Sequence, residues 1–134
     1  MKPAAIEERR RQAQAKWDAI RESPVPYIYI GAGSCGLAAG AADTQKAVEE
    51  YLSQHQFEAK IVPVGCIGPC YLEPLMDVQM PGRPRISYSN IAAKDVGPIL
   101  QGFFEKGETP KYHLAGYFED TSRSQKSEGR VQKA

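Results

Sequence analysis

A chain of 134 residues, 42% hydrophobic and 25% charged, has material for one modest core and little beyond it. Its 17 Lys and Arg against 16 Asp and Glu nearly cancel, so no whole-molecule field draws in nucleic acid or an anionic membrane. No apolar run is long enough to cross a bilayer, and the charged segment Met1–Arg11 has neither the apolar stretch nor the cleavage pattern of a signal peptide, which makes the cytoplasm the expected location.

Residues 4–22 contain no Pro or Gly and set Ile6, Ala13, Trp17 and Ile20 on one narrow stripe, which predicts a charged helix with a single apolar face. That face either packs on its own domain or docks on a partner through Trp17. Ser23-Pro24-Val25-Pro26 breaks the helix, so residues 1–23 read as a docking helix and 24–107 as the domain proper. Tyr27-Ile28-Tyr29-Ile30 is β-branched and aromatic and predicts a buried first strand. A Gly- and Ala-rich loop, 31–42, follows. Asp43-Thr44 then supplies an N-cap for a helix through about His55, with Ala47, Val48, Tyr51 and Leu52 facing inward. Residues 59–64 read as a second strand, and 75–80 with 85–89 as a hairpin around Pro81-Gly82. A closing helix over 91–104 buries Val96, Ile99, Leu100, Phe103 and Phe104; Pro98 fits it only in or near the first turn. In the extension, 108–134, the aromatic stretch Tyr112–Phe118 either lies as an arm on another surface or packs on its own core. From Thr121 onward, Ser, Gln, Lys, Arg and Gly offer too little to bury, and disorder is expected.

No Ser-His-Asp set, paired carboxylates or phosphate loop is visible, so a free-standing enzyme is not expected. The chemistry lies in three cysteines: Cys35 in Gly33-Ser34-Cys35-Gly36, and Cys66 and Cys70 in Gly65-Cys66-Ile67-Gly68-Pro69-Cys70. Two thiols four residues apart in a Gly/Pro-kinked loop can turn toward one point, and a third on another strand-to-helix loop closes most of a soft-metal cage. An odd count in a chain expected to be cytoplasmic argues against a disulfide framework. The same loop contains a decoy: Gly31-Ala32-Gly33-Ser34-Cys35-Gly36 after a strand matches a dinucleotide fingerprint. Gly40 interrupts the helix that fingerprint needs, however, and Val64-Gly65-Cys66 stands where its ribose-binding acid belongs. A zinc site from three thiols and water is a further option, although Cys-x-x-x-Cys is looser than zinc knuckles use. A Cys66–Cys70 redox switch is weaker, since such switches use two intervening residues.

With its cysteines on two loops after strands, the stretch Tyr27–Lys106 resembles the thioredoxin-like [2Fe-2S] ferredoxin family. That family includes small ferredoxins, the roughly 24 kDa subunit of respiratory NADH dehydrogenase, and a domain of the NADH-binding flavoprotein subunits of hydrogenases and formate dehydrogenases. The resemblance is carried by Gly33-Ser34-Cys35 with Gly40-Ala41, by Gly65 to Cys70, by Glu73-Pro74-Leu75, and by Tyr88 ahead of the last helix. It implies an α/β, thioredoxin-like fold: a small mixed sheet flanked by helices, here with an extra N-terminal helix and a disordered C-terminal tail. It also implies that Cys35, Cys66 and Cys70 hold a [2Fe-2S] cluster, tuned by the amides of Gly33, Gly36 and Gly68, for electron transfer with an NADH/FMN-binding flavoprotein subunit and other iron-sulfur subunits. No nucleic acid or membrane insertion is implied. Cluster-binding members carry a further cysteine, typically five residues before the one matched by Cys35 or somewhat further; here Ile30 holds the nearer position and no cysteine precedes it. The fourth ligand is then an oxygen or nitrogen donor such as Ser34, Tyr29, His55 or His113, or a partner's side chain; otherwise no cluster binds and the chain is a thioredoxin-fold structural subunit.

Overall fold

A computed structural model describes residues 2–118. The elements run α1 (Pro3–Arg21), β1 (Tyr27–Gly31), α2 (Ser34–Ala39), α3 (Ala41–His55), β2 (Lys60–Val64), a short 3-10 turn (Cys70–Leu72), β3 (Met76–Gln79), β4 (Ile86–Tyr88), α4 (Ala93–Phe104) and β5 (Leu114–Tyr117). The strands form one mixed sheet in the order β2-β1-β3-β4-β5. β1 and β2 are parallel, in register from Tyr27 beside Lys60 to Gly31 beside Val64. The other neighbours are antiparallel. Pro63, which has no amide to donate, is tolerated because β2 is an edge strand.

Alternation along β1 sends Ile28 and Ile30 to one face, where they join Met76, Val78 and Tyr88 of the sheet with Val48 and Leu52 of α3 and Val96, Ile99, Leu100 and Phe103 of α4. Burial of these side chains, at about 25 cal/mol per Å² of apolar surface, is the main force fixing both helices on that face. The opposite face is polar at its centre. Asp77, only 5% exposed, accepts hydrogen bonds from Arg85 Nε at 2.6 Å and from Ser87 Oγ at 2.6 Å. The Arg85 guanidinium lies 3.8 Å from the Tyr29 ring centroid and 4.6 Å from that of Phe118. One cation therefore neutralises the buried acid and stacks on two aromatic rings.

The expected elements are present, with four local differences. The loop 31–42 contains α2, a short helix closed by Gly40 in the left-handed conformation (φ 106°), and α3 starts directly after it at Ala41. Asp43 thus sits inside the first turn, and Thr44 spends its hydroxyl on Ile91 O at 2.7 Å, a tie between α3 and the lead into α4, in place of the expected cap. Because α4 begins at Ala93, Pro98 falls beyond its first turn. Residues 112–118 pack on their own domain: Leu114–Tyr117 add a fifth strand to β4, and Tyr112 Oη donates to the buried carboxylate of Asp95 at 3.1 Å. Finally, α1 buries no residue, and Ile6 and Trp17 stand 51% and 55% exposed, so its apolar stripe is not used by this domain. The expected disorder from Thr121 concerns positions outside the described residues. Among the described residues no helix is long and apolar enough to cross a membrane.

Candidate metal centre

Because β1 and β2 are parallel neighbours, both deliver the chain to the same end of the sheet, and the loops that follow them lie side by side. Ala32 N–H continues the ladder to Val64 O at 2.7 Å, which holds the two loop starts together. Gly33 lets them close further, since a Cβ on it would lie 3.0 Å from Cys66 N. Cys35 then sits in the first turn of α2, and Cys66 two residues past β2. Gly68 turns the second loop back with φ 113°, a conformation that favours glycine, and Cys70 opens the 3-10 turn. The Sγ atoms of Cys35, Cys66 and Cys70 consequently all lie within 4.8 Å of one another, and those of Cys66 and Cys70 are 3.6 Å apart.

Cys66 and Cys70 are exposed and Cys35 is half-buried. Hydrogen bonding with Cys35, and then with Cys66, pushes the Cys70 thiol up to about 12. A thiol raised in this way keeps its proton at neutral pH, and a cation binding there would have to displace it. Gly68 N–H donates to Cys66 Sγ at 3.3 Å. No charged side chain occurs in residues 27–42 or 61–72, which include both loops. Around the sulfurs, Leu37, Ile67 and Tyr71 stand 55%, 58% and 82% exposed.

Thiolates about 2.3 Å from a tetrahedral metal lie about 3.8 Å apart. The Cys66–Cys70 separation of 3.6 Å therefore suits two ligands of one metal atom, with Cys35 beside them. The donor set is right for a soft metal and supplies three of the four thiolates that a [2Fe-2S] cluster takes from Cys side chains.

The three cysteines are brought together from separate loops, whereas the three glycines have different tasks. Only Gly68, among the described residues, aims its amide at a sulfur. Gly33 allows the close approach of the loops. Gly36 is buried, and a Cβ there would stand 2.0 Å from Gly31 O, so its task is to seat α2 on the end of β1. The nitrogen and oxygen donors considered for the fourth ligand are mostly engaged elsewhere. Tyr29 Oη donates to Gln79 Oε1 at 3.0 Å on the far face of the sheet. His55 lies at the other end of α3, about 20 Å along the helix axis from Gly40. There it stacks on Tyr51 with ring centroids 4.1 Å apart and faces Glu105 at 3.7 Å. His113 stands in the turn before β5, against Tyr112. Ser34 is exposed beside Cys35. Ile30 is fully buried in the core and points away from solvent.

In the sequence Glu73 carries the resemblance only as part of Glu73-Pro74-Leu75, with no role of its own. Its carboxylate is 5% exposed and accepts Leu75 N–H at 2.9 Å. It fills the space left by two missing side chains: a Cβ at Gly31 would lie 2.5 Å from its Oε2, and one at Gly36 3.3 Å from the same atom. Glu73 thus braces the base of the Cys35 loop from the segment between the Cys70 turn and β3. The visible signal was an acid at the boundary of two charge-free stretches, ahead of Pro74.

Fold and site together define a thioredoxin-like domain with a surface cluster of three cysteines on the loops after its parallel strands. Solved structures similar to it include thioredoxin-like [2Fe-2S] ferredoxins from Aquifex aeolicus. One matches with a TM-score of 0.61 at 16% identity over 73% of this chain and 96% of the ferredoxin. The wild-type protein in another crystal structure gives 0.58 at 17% over 70% and 99%, and a variant with one cysteine replaced by serine gives 0.58 at 17% over 68% and 98%. The chain therefore has the thioredoxin-like ferredoxin fold. Its sequence matches no protein-family model and no curated protein.

Proposed function

We propose that this domain is an electron-transfer module in which Cys35, Cys66 and Cys70 hold a [2Fe-2S] cluster. The observation that carries the reading is the convergence of three sulfurs within 4.8 Å, from two separate loops, on the fold of the Aquifex ferredoxins. When bound, the cluster supplies a one-electron couple at the protein surface. The chain's own part is to position and tune. Cys66 and Cys70 bind as a pair, Cys35 binds from the facing loop, and Gly68 N–H withdraws charge from the Cys66 sulfur, which favours the more negative, reduced state. The exposure of the sulfurs and their charge-free surround suit direct contact with a redox partner. An NADH/FMN-binding flavoprotein subunit of a larger oxidoreductase, working with other iron-sulfur subunits, is the partner the sequence resemblance favours; within such a complex the module accepts single electrons from the flavin.

The unused stripe of α1, with Trp17 55% exposed, favours a second reading in which the fold serves as a cluster-free structural or assembly subunit of the same kind of complex. Anaerobic reconstitution of the full chain with iron, sulfide and an excess of small thiol separates the two. The electron-transfer reading expects iron, sulfide and visible charge-transfer absorption, all lost in Cys66→Ser. A chain that stays colourless, or that binds zinc and refuses iron, overturns it.

A further inference from the structure

We infer that the metal centre is completed by a thiolate from outside the chain, an inference that rests on the cluster-binding reading above. This sequence contains three cysteines, and all three are already in the site, so no rearrangement of these residues yields a fourth thiol. Neither histidine is near: His55 is held at the far end of α3 and His113 in the turn before β5. No carboxylate joins the sulfurs within 4.8 Å among the described residues, and Glu73 is turned into the base of the loops, accepting Leu75 N–H. Ile30, at the position expected of an upstream ligand, is sealed in the core.

Ser34, exposed beside Cys35, offers only a hard hydroxyl oxygen, so the approach left to a soft donor is from solvent, and it is open. Cys66 and Cys70 are exposed, and the two loops carry no negative charge to repel an incoming anion. Leu37, Ile67 and Tyr71, each two residues or fewer from a cysteine in the chain, stand exposed and add apolar surface without charge. A metal held by three thiolates is matched best by another soft donor. On entry the thiol gives its proton to solvent and its sulfur displaces a water, with no change of oxidation state. The thiolate comes either from a free small thiol or, in a dimer that holds a single cluster, from a cysteine that a second copy withdraws from its own site.

The test is anaerobic reconstitution of the full chain with iron and sulfide, using a thiol-free phosphine reductant, with and without radiolabelled glutathione. Gel filtration, iron counting and sedimentation follow. With a small thiol as the source, iron retention rises severalfold when glutathione is added, and label co-elutes with a monomer at one thiol per two irons. With a second copy as the source, iron is retained without label and only in a dimer. A monomer that holds its full iron complement without thiol, with a spectrum that glutathione leaves unchanged, overturns the inference while leaving the cluster reading intact; loss of that thiol-independent iron in Ser34→Ala would then name the ligand. Iron absent from every arm overturns the cluster reading and this inference with it.

Discussion

Single residues set how closely the two sulfur-bearing loops can approach. Gly36 packs on Gly31 O where a Cβ would stand 2.0 Å away, and backbone cannot yield as a flexible side chain does. Gly36→Ala is expected to cost about 1–3 kcal/mol in urea unfolding and to weaken iron retention by displacing Cys35. Gly65→Ala, which meets nothing within 4 Å, serves as the control and is expected to stay within about 0.5 kcal/mol. Tyr88 makes a second residue-scale prediction. Its phenol is fully buried, donates to Pro110 O at 2.8 Å, and is pushed by burial above its ordinary value of 10.0. Below about pH 10 it is neutral folded or unfolded, and its contribution is intact. Above that, the unfolded chain ionises and the folded one does not, so stability falls by up to about 1.4 kcal/mol per pH unit toward the higher folded value. Tyr88→Phe should lose about 1 kcal/mol at neutral pH and show a shallower alkaline slope in a pH series of denaturant melts. The cysteines, and the glycines between them, were legible in the sequence because turn chemistry and ligand spacing are local. The brace from Glu73 was not, because it depends on a space created by two glycines far from it in the chain.

Elements were read correctly wherever one period dominated. β1 announced itself through Tyr27–Ile30, α3 through Val48, Tyr51 and Leu52, and α4 through Val96 to Phe103. Boundaries shifted where a tertiary tie outweighed a local signal, as when Thr44 bonded Ile91 O and left Gly40 to punctuate the chain. Pro98 shows the same override. It lies beyond the first turn of α4, so its ring takes the place of an amide that would otherwise bond the carbonyl of Lys94. The apolar face on either side of it, from Val96 to Phe103, holds the helix together regardless. Pro98 itself is exposed, so Pro98→Ala restores a hydrogen bond without disturbing the core; it is expected to raise stability by about 1–3 kcal/mol, read as a higher urea midpoint. β5 was the least legible element, since an aromatic stretch after Pro110 does not say whose surface it will meet. The answer came from β4, which had an edge to offer, and from Asp95, which had an acceptor for Tyr112.

For the molecule as a whole, the core belongs to the sheet with α3 and α4 and the site to α2 and the loop after β2, and α1 contributes to neither. Removing residues 1–22 should therefore shift the thermal midpoint by no more than about 0.5 kcal/mol would. In the full chain the sole tryptophan, Trp17, should fluoresce as a solvent-exposed indole and be quenched freely by iodide. A shielded, blue-shifted emission from the monomer would place α1 against the domain after all. The same measurement in the presence of a partner reports directly on whether the stripe of Ile6 and Trp17 becomes covered.

Because no charged side chain interrupts residues 27–42 or 61–72, the two sulfur-bearing loops add no side-chain charge of their own to steer another molecule. With those loops alone setting the field, collision proceeds at the unsteered pace of about 10⁵–10⁶ M⁻¹s⁻¹, and screening by added electrolyte has little to remove. Selectivity among colliding molecules then comes from shape and the release of water around Leu37, Ile67 and Tyr71, a short-range fit that works equally well in dilute and in concentrated buffer.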